Sequence, residues 1–180
     1  MRRRGTSLVE MLIVLTVLGI ITSIAAPKLR PSAKGTVEQT ARLMAQDLDL
    51  ARTRAYATRS LTRVVVQDTL WQSFLDNNRD TVIVETATER TAFGTFNSRR
   101  MSERVILGRG FASRLPTDTV SGTASAVRRI QFGARGITEP FGTSTVLYLT
   151  YDSDSTAVSA VEINPAANVR VWRWVDGIWQ

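Results

Sequence analysis

The sequence predicts an α+β protein in which a long N-terminal helix, its first half in a membrane, packs on antiparallel β-sheets. Two observations lead to this fold class. Residues 7–26 are uncharged apart from a single glutamate, and residues 61–175 hold short runs of branched and aromatic residues separated by polar turns. Between these two regions, residues 36–58 follow the spacing of an amphipathic helix.

The first apolar stretch follows three consecutive arginines, Arg2, Arg3 and Arg4. A helix of about 20 residues spans roughly 30 Å, which is the thickness of the hydrocarbon core of a bilayer. Leu, Ile and Val side chains surround such a helix on all sides, which is typical of a helix in lipid or inside a bundle. Because basic residues favour the cytoplasmic side, we expect a cytoplasmic N-terminus and a C-terminal part across the membrane.

Glu10 is the one charged residue inside this stretch. A carboxylate within a membrane span is costly and is usually functional, with a partner of opposite charge. An alternative is that Glu10 lies near the membrane interface, where water solvates it and the positive end of the helix dipole favours it. Both interpretations remain open on the residues alone.

The arginine cluster, Gly5, a short polar pair and an apolar run with Glu10 five residues after the glycine form a specific combination. It resembles the class III signal of type IV pilins and type II secretion pseudopilins. The resemblance implies that a prepilin peptidase cuts between Gly5 and Thr6 and methylates the new N-terminus at Thr6. It also implies that Glu10 serves filament assembly by pairing with the Thr6 amine of a neighbouring subunit. The chain departs from the family at Thr6, where phenylalanine is usual.

Two other interpretations fit part of the N-terminal stretch. One is an ordinary secretory signal peptide with a small-residue site at Ser23-Ile24-Ala25. Its apolar region would be too long, would contain a glutamate, and would be followed at once by Pro27. The other is a simple signal anchor, which the arginines and the length allow. Neither accounts for both Gly5 and Glu10.

The composition disfavours an enzyme. The 180 residues include neither cysteine nor histidine. Thiol chemistry, disulfides, histidine general bases and histidine-based zinc sites are therefore excluded. We expect no catalytic residues, no cofactor and no metal. The formal charge of +7 comes from 23 basic and 16 acidic residues, and removal of the three leading arginines leaves an excess of +4. Such an excess is compatible with phosphate binding or with a solvated basic surface.

The second helix is predicted to start with the pattern Thr36 to Gln39 and to end at about Thr58. Leu43 and Leu50 are expected to widen its apolar face. Spacings of four and three define the centre of that face, which is formed by Val37, Ala41, Met44, Leu48, Ala51 and Ala55.

Antiparallel strands are predicted for most of the remaining chain. Residues 88–100 give no clear pattern, and residues 109–126 are expected to form an exposed loop. The predicted organisation is a leader (1–5), a transmembrane half-helix (6–27), a juxtamembrane segment with an amphipathic half-helix (28–59) and a β-rich domain (60–180). The predicted strands are 61–66, 70–75, 81–86, 104–107, 127–132, 145–151, 157–163 and 169–175.

Two internal segments resemble the GspH/FimT branch of minor pseudopilins. They are Leu48-Asp49-Leu50-Ala51-Arg52 and Ile130-Gln131-Phe132-Gly133-Ala134-Arg135-Gly136. The resemblance implies a pilin-like fold and a structural role as a minor subunit of a type II secretion pseudopilus or a type IV pilus. The implied partners are prepilin peptidase, other pilins or pseudopilins and the bacterial inner membrane. The implied topology is single-pass, with a periplasmic globular domain.

The last predicted strand offers an alternative function. Arg170 and Arg173 lie among tryptophans, and basic residues interleaved with aromatic ones can bind single-stranded nucleic acid. Competence pilins similar to FimT take up DNA through a C-terminal Gly-Arg-x-Arg stretch, where this chain has Asn168-Val169-Arg170-Val171. The alternation is more simply explained by a half-buried strand with its arginines on one side. A competence pilin that binds DNA through Arg170 and Arg173 remains the second hypothesis.

Asp152 and Asp154 flank Ser153 in a predicted turn. Calcium requires six or more oxygen ligands, which two carboxylates do not supply without further groups. We therefore expect a solvated hairpin turn at this position.

Overall fold

The computed structural model describes residues 7–25, 32–90, 98–118 and 127–180. The chain divides into two compact units, Met1–Ser32 and Ala33–Gln180. The first unit contains helix α1 (Leu8–Ala25), and the second begins with helix α2 (Ala33–Thr58), which packs on two antiparallel sheets. The predicted α+β class is therefore confirmed.

Eleven of the 18 residues of helix α1 are Leu, Ile or Val. Its threonines satisfy their hydroxyls within the helix, because Thr16 Oγ1 donates to the Ile13 carbonyl (2.8 Å) and Thr22 Oγ1 to the Leu18 carbonyl (2.7 Å). In the described part of the chain, no helix combines the length and the apolar character needed to cross a membrane. The predicted span 6–27 includes residues 6, 26 and 27, which lie outside the described residues.

Helix α2 begins at Ala33, three residues before the predicted start, and ends at Thr58 as predicted. Ala33 packs against the core, and this contact offsets the low helix propensity of Gly35. Leu43 is only half-buried and Leu50 is 44% exposed, so the apolar face is narrower than predicted. The six residues predicted at the centre of that face are all buried: Val37, Ala41, Met44, Leu48, Ala51 and Ala55.

The strands form two antiparallel sheets. The first has the order β3-β2-β1-β5 and consists of β1 (Thr62–Gln67), β2 (Leu70–Leu75), β3 (Ser98–Arg100) and β5 (Val127–Phe132). The second has the order β4-β6-β7-β8-β9 and consists of β4 (Val105–Leu107), β6 (Thr145–Tyr151), β7 (Asp154–Ile163), β8 (Val169–Val175) and β9 (Ile178–Trp179).

One core joins α2 to the inner face of both sheets. Trp71 and Phe132 enter it from the first sheet, and Leu147, Leu149 and Ile163 enter it from the second. Full burial of one such side chain contributes about 1.5–3 kcal/mol to the hydrophobic term. The helix therefore connects two sheets that have no strand in common.

The predicted strand at 81–86 is wrong. In this segment Thr81 N–H donates to Asp76 Oδ2 (3.0 Å), and Val82 N–H donates to Asp80 Oδ1 (2.8 Å). The Asp76 and Asp80 carboxylates therefore accept backbone N–H groups that would otherwise donate to a neighbouring strand. The branched residues that suggested a strand belong to a loop with its own internal hydrogen bonds.

Loops cover the outer faces of both sheets. Ile83 packs on Val65 and Phe74 of the first sheet, and Leu115 packs against the side of the second sheet that carries Trp172. Leu115 is only 3% exposed, so the prediction of an exposed loop at 109–126 is wrong for this part. Residues 119–126 of that loop lie outside the described residues, as do residues 91–97.

Candidate functional site

The N-terminal helix presents an apolar surface on all sides. Gly5 and Thr6 lie outside the described residues, and Glu10 is exposed in the first turn of α1. The large apolar side chains from Leu8 to Ile21 are 48–82% exposed. An apolar surface of this extent is typical of a helix that is buried by lipid or by other chains. Glu10 is thus an exposed carboxylate within this apolar surface.

Arg170 and Arg173 do not share a face of β8. Side chains three positions apart in a strand point to opposite sides. Arg173 lies on the side of Val171 and α2, where its Nη1 is 3.6 Å from Oε2 of Glu38. Arg170 lies on the side of Trp172. The prediction that the arginines occupy one side of the strand is therefore wrong, and β8 offers no paired basic surface.

The indole nitrogens on the outer face of the second sheet have structural partners. Trp172 Nε1 donates to Glu162 Oε2 (2.7 Å), and Trp179 Nε1 donates to the Ser113 carbonyl (2.9 Å). Trp174 packs edge-on against Trp179, with ring centroids 5.1 Å apart. The Trp179 contacts hold the loop at 109–118 and the end of the chain together.

Tyr148 fixes the same loop from β6. Its hydroxyl accepts the Leu115 N–H (2.9 Å) and donates to Asp118 Oδ2 (3.0 Å). Burial, followed by the donated hydrogen bond and the negative charge of Asp118, raises the pKa of Tyr148 to about 12. The phenol therefore stays protonated at neutral pH and acts as a structural donor.

A second candidate site lies where residues 48–52 meet residues 130–136, the two segments that resemble the GspH/FimT branch. Arg52 Nε donates to the Gly136 carbonyl (3.0 Å), and Arg52 Nη1 donates to Asn168 Oδ1 (3.4 Å). Gly136 has φ 70°, a left-handed conformation that glycine adopts without strain. Asp49 lines the same cleft of about 350 Å³, and burial raises the pKa of its carboxyl while the charge of Arg52 opposes the shift. Arg52 thus links helix α2 to the loop that follows β5.

Asp47 is a buried polar residue of helix α2. It is 3% exposed, accepts the Trp71 indole N–H at Oδ2 (2.8 Å) and pairs with Arg99 Nε (3.0 Å). Burial raises the pKa of the Asp47 carboxyl, while the Trp71 hydrogen bond and the Arg99 charge lower it. The helical spacing from Met44 and Ala51 could have placed Asp47 on the buried face.

The turn at Asp152–Asp154 satisfies its own polar groups. Asp154 Oδ1 accepts both the N–H (3.0 Å) and the hydroxyl (2.6 Å) of Thr156, and these hydrogen bonds lower the pKa of the Asp154 carboxyl. Strand β7 begins at Asp154, earlier than predicted, because this residue pairs with Tyr151 across a bulge. Within the described ranges, no group of three or more acidic, histidine or cysteine side chains is placed to hold a metal ion.

Comparison with known proteins gives one match at the N-terminus. Residues 1–26 match the family model described as the prokaryotic N-terminal methylation motif. The match confirms the resemblance to type IV pilin-like proteins at this segment. A comparison with curated proteins finds no significant match.

Two solved structures are similar to the chain. Both are crystal structures of the type IV minor pilin FimU of Pseudomonas aeruginosa. The form in space group P21 is 12% identical, with a TM-score of 0.49, and the alignment covers 75% of this chain and 87% of FimU. The form in space group P65 is 13% identical, with a TM-score of 0.47 and coverages of 74% and 90%.

Proposed function

We propose that this chain is a minor pilin-like subunit of a bacterial filament, either a type II secretion pseudopilus or a type IV pilus. The observation that carries the proposal is the N-terminal methylation motif over residues 1–26, which coincides with an exposed apolar helix. Prepilin peptidase cleaves between Gly5 and Thr6 and methylates Thr6. The chain has a structural role and no catalytic centre.

We place the segment 6–27 in the inner membrane before assembly. Its support is the exposure of the large apolar side chains from Leu8 to Ile21, which water would penalise. The arginines at 2–4 keep the N-terminus cytoplasmic, so the β-rich domain is periplasmic. In the filament, neighbouring pilins or pseudopilins replace lipid around α1.

Glu10 provides the register between subunits in this proposal. Cleavage after Gly5 creates an ammonium at Thr6 in a region of low dielectric constant. An unpaired charge there is costly, so the Thr6 amine of one subunit is stabilised by Glu10 of the next. A pair within one chain remains available before assembly, since the two residues lie about one helical turn apart.

Processing is tested by the intact mass of the protein from membranes that contain the peptidase. We expect a methylated chain beginning at Thr6, and we expect Gly5→Ala to accumulate uncleaved. Gly19→Ala is the matched control, because a methyl group at Gly19 meets no atom within 4 Å. A mature chain that begins elsewhere, or normal cleavage of Gly5→Ala, contradicts the proposal.

Assembly is tested by incorporation of Glu10 variants into sheared filaments in the presence of their partner subunits. We expect Glu10→Ala and Glu10→Gln to reach normal membrane levels but to fail in assembly, while Glu10→Asp retains part of it. Thr22→Ala is the control, because its hydroxyl donates to the Leu18 carbonyl of its own helix. Normal incorporation of Glu10→Ala would show that the charge pair is not required.

The second hypothesis, a competence pilin that binds DNA, can be tested separately. Exposed Arg170 and the net positive charge support it, while the opposite orientation of Arg173 weakens it. On our proposal, duplex DNA binds only weakly, and binding falls steeply as salt rises. Tight binding at physiological salt that is lost in both Arg170→Ala and Arg173→Ala, but not in Arg54→Ala, would favour DNA uptake instead.

A further inference from the structure

We propose that the loop from Asp76 to Val82 binds a calcium ion, with oxygen ligands from Asp76, Asn78, Asp80 and the Val82 carbonyl. This inference concerns the β-rich domain and does not depend on processing or filament assembly.

The first observation is the spacing of oxygen donors. Carboxylate and amide oxygens stand at the first, third and fifth positions of the loop, as Asp76, Asn78 and Asp80, and Val82 occupies the seventh position. Loops that bind calcium place side-chain oxygens at positions 1, 3 and 5 and a backbone carbonyl at position 7. The sixth position needs a sharp turn, and here Thr81 has φ 66°.

The second, independent observation is an unpartnered oxygen on Asp76. This residue is 2% exposed, and its Oδ2 accepts the Thr81 N–H at 3.0 Å. Its Oδ1 is buried and has no hydrogen-bond partner among the described residues. A buried carboxylate oxygen without a partner is unfavourable, and such groups are rare in folded proteins. A cation held by Oδ1 removes this cost.

The Asp76 carboxylate contacts the loop that it begins. Its Oδ2 accepts the N–H of Thr81, the sixth residue of that loop, so the carboxylate lies against the turn. Asp76 and Thr81 also line a cavity of about 380 Å³, which Arg59, Arg79 and Glu139 line as well.

The remaining side-chain ligands are already gathered at the loop. Asn78 Nδ2 donates to Asp80 Oδ2 (2.9 Å), and the Asp80 N–H donates to Asn78 Oδ1 (3.3 Å). Both side chains are exposed, so they can exchange this mutual contact for an ion. Only two of the three side chains are acidic, so the loop differs from a cluster of three carboxylates.

The donor set favours calcium over magnesium. All ligands are oxygens, one is a backbone carbonyl, and the loop is exposed, whereas magnesium requires strict octahedral geometry and retains more of its waters. Ala87 occupies the twelfth position, where tight loops have a bidentate glutamate, and Glu85 is engaged by Arg63 and Arg129. We therefore expect an affinity in the weak extracellular class, with a Kd of about 0.1–1 mM.

The test is titration of the full-length protein in detergent with CaCl2, followed by calorimetry and by thermal unfolding. We expect saturable binding of one ion and, at about 10 mM CaCl2, a rise in Tm of about 3–6 °C for a Kd near 1 mM. MgCl2 at the same ionic strength should raise Tm by less than half of that value.

Variants separate the loop from general charge effects. Asp80→Ala and Asn78→Ala remove the exposed ligands and should abolish binding while the protein stays folded, so the test does not depend on Asp76→Asn, which also weakens the Thr81 contact. Asp68→Asn is the control, because Asp68 is an exposed aspartate in the β1–β2 turn of the same sheet. Absence of saturable binding at the same calcium concentrations, equal effects of MgCl2, or undiminished binding in Asp80→Ala would overturn the proposal.

Discussion

Arg52 of α2 donates from Nε to the carbonyl oxygen of Gly136 over 3.0 Å, across 84 residues of sequence. The same guanidinium reaches Asn168 Oδ1 in the loop before β8. A single side chain thus ties the helix to the loops that follow β5 and β7. Arg52 and Gly136 each lie in one of the two segments whose sequences resemble the GspH/FimT branch.

We expect Arg52→Ala to destabilise the protein by about 1–2 kcal/mol, because it removes hydrogen bonds from a charged, half-buried donor. This corresponds to a fall in Tm of about 3–6 °C, measured by thermal unfolding of the full chain in detergent. Arg52→Lys should lose most of the same stability, because an ammonium does not reproduce the guanidinium geometry. Arg54→Ala, an exposed change on the same helix, should leave Tm nearly unchanged.

We expect Asp47→Ala to cost about 2–3 kcal/mol, because it removes the acceptor of a buried indole N–H and the partner of Arg99. Asp47→Asn keeps an acceptor oxygen for Trp71 and should cost less. Chemical denaturation of both variants measures the difference. Equal losses in the two variants would indicate that the charge pair with Arg99 stabilises the fold and that the indole hydrogen bond does not.

The charge pair of Glu85 with Arg129 predicts a pH dependence. The hydrogen bond from Arg129, followed by its charge and that of Arg63, lowers the pKa of Glu85 below 4.5 despite partial burial. The pair therefore contributes its full stability above pH 4.5 and loses it as the pH falls through the lowered value. We expect Glu85→Gln to lower Tm by about 2–4 °C at about pH 7, for a pair worth about 1 kcal/mol, and this gap should close toward about pH 3.

The control for this pH dependence is Glu103→Gln, which alters an exposed glutamate outside the network. Its Tm should follow that of the parent protein throughout. A gap between Glu85→Gln and the parent that stays constant from neutral to acidic pH would contradict the assignment of the pH dependence to Glu85.

The periodicity of the sequence was enough to predict the helices and most of the strands. The face from Val37 to Ala55 is predictable because helical spacing and apolar side chains coincide there. The segment 81–86 misled the prediction, because branched residues favour strands only where a neighbouring strand accepts their N–H groups. Here Asp76 and Asp80 accept them, and a short-range pattern does not show that competition.

The candidate sites also differ in how far they could be predicted from the sequence. Gly5, Thr6 and Glu10 could be proposed from the sequence because the signal is local and contiguous. The spacing of Arg170 and Arg173 was enough to predict that they lie on opposite sides of a strand. The prediction that both arginines lie on one side overlooked this spacing. Two other features could not be predicted, because they depend on how distant or irregular backbone segments meet. They are the Arg52–Gly136 contact and the buried Asp76 Oδ1, which has no hydrogen-bond partner among the described residues.

We expect residues 33–180 to fold without the N-terminal segment. This range coincides with the second compact unit, and it contains every residue of the main core cluster, including Val37, Trp71 and Ile163. The core is supplied by α2 and both sheets, so the apolar residues of α1 are not needed to complete it. A soluble chain of residues 33–180 should give a mixed helix and sheet circular dichroism spectrum and one cooperative thermal transition.

A chain of residues 60–180 is the matched control for this prediction. Removal of α2 exposes the inner faces of both sheets and should leave this shorter chain unfolded or aggregated. Within residues 33–180, Leu48→Ala should lower stability by about 2–5 kcal/mol through the cavity it leaves. If residues 33–180 show no cooperative transition in native buffer, the fold of the globular part depends on the N-terminal segment.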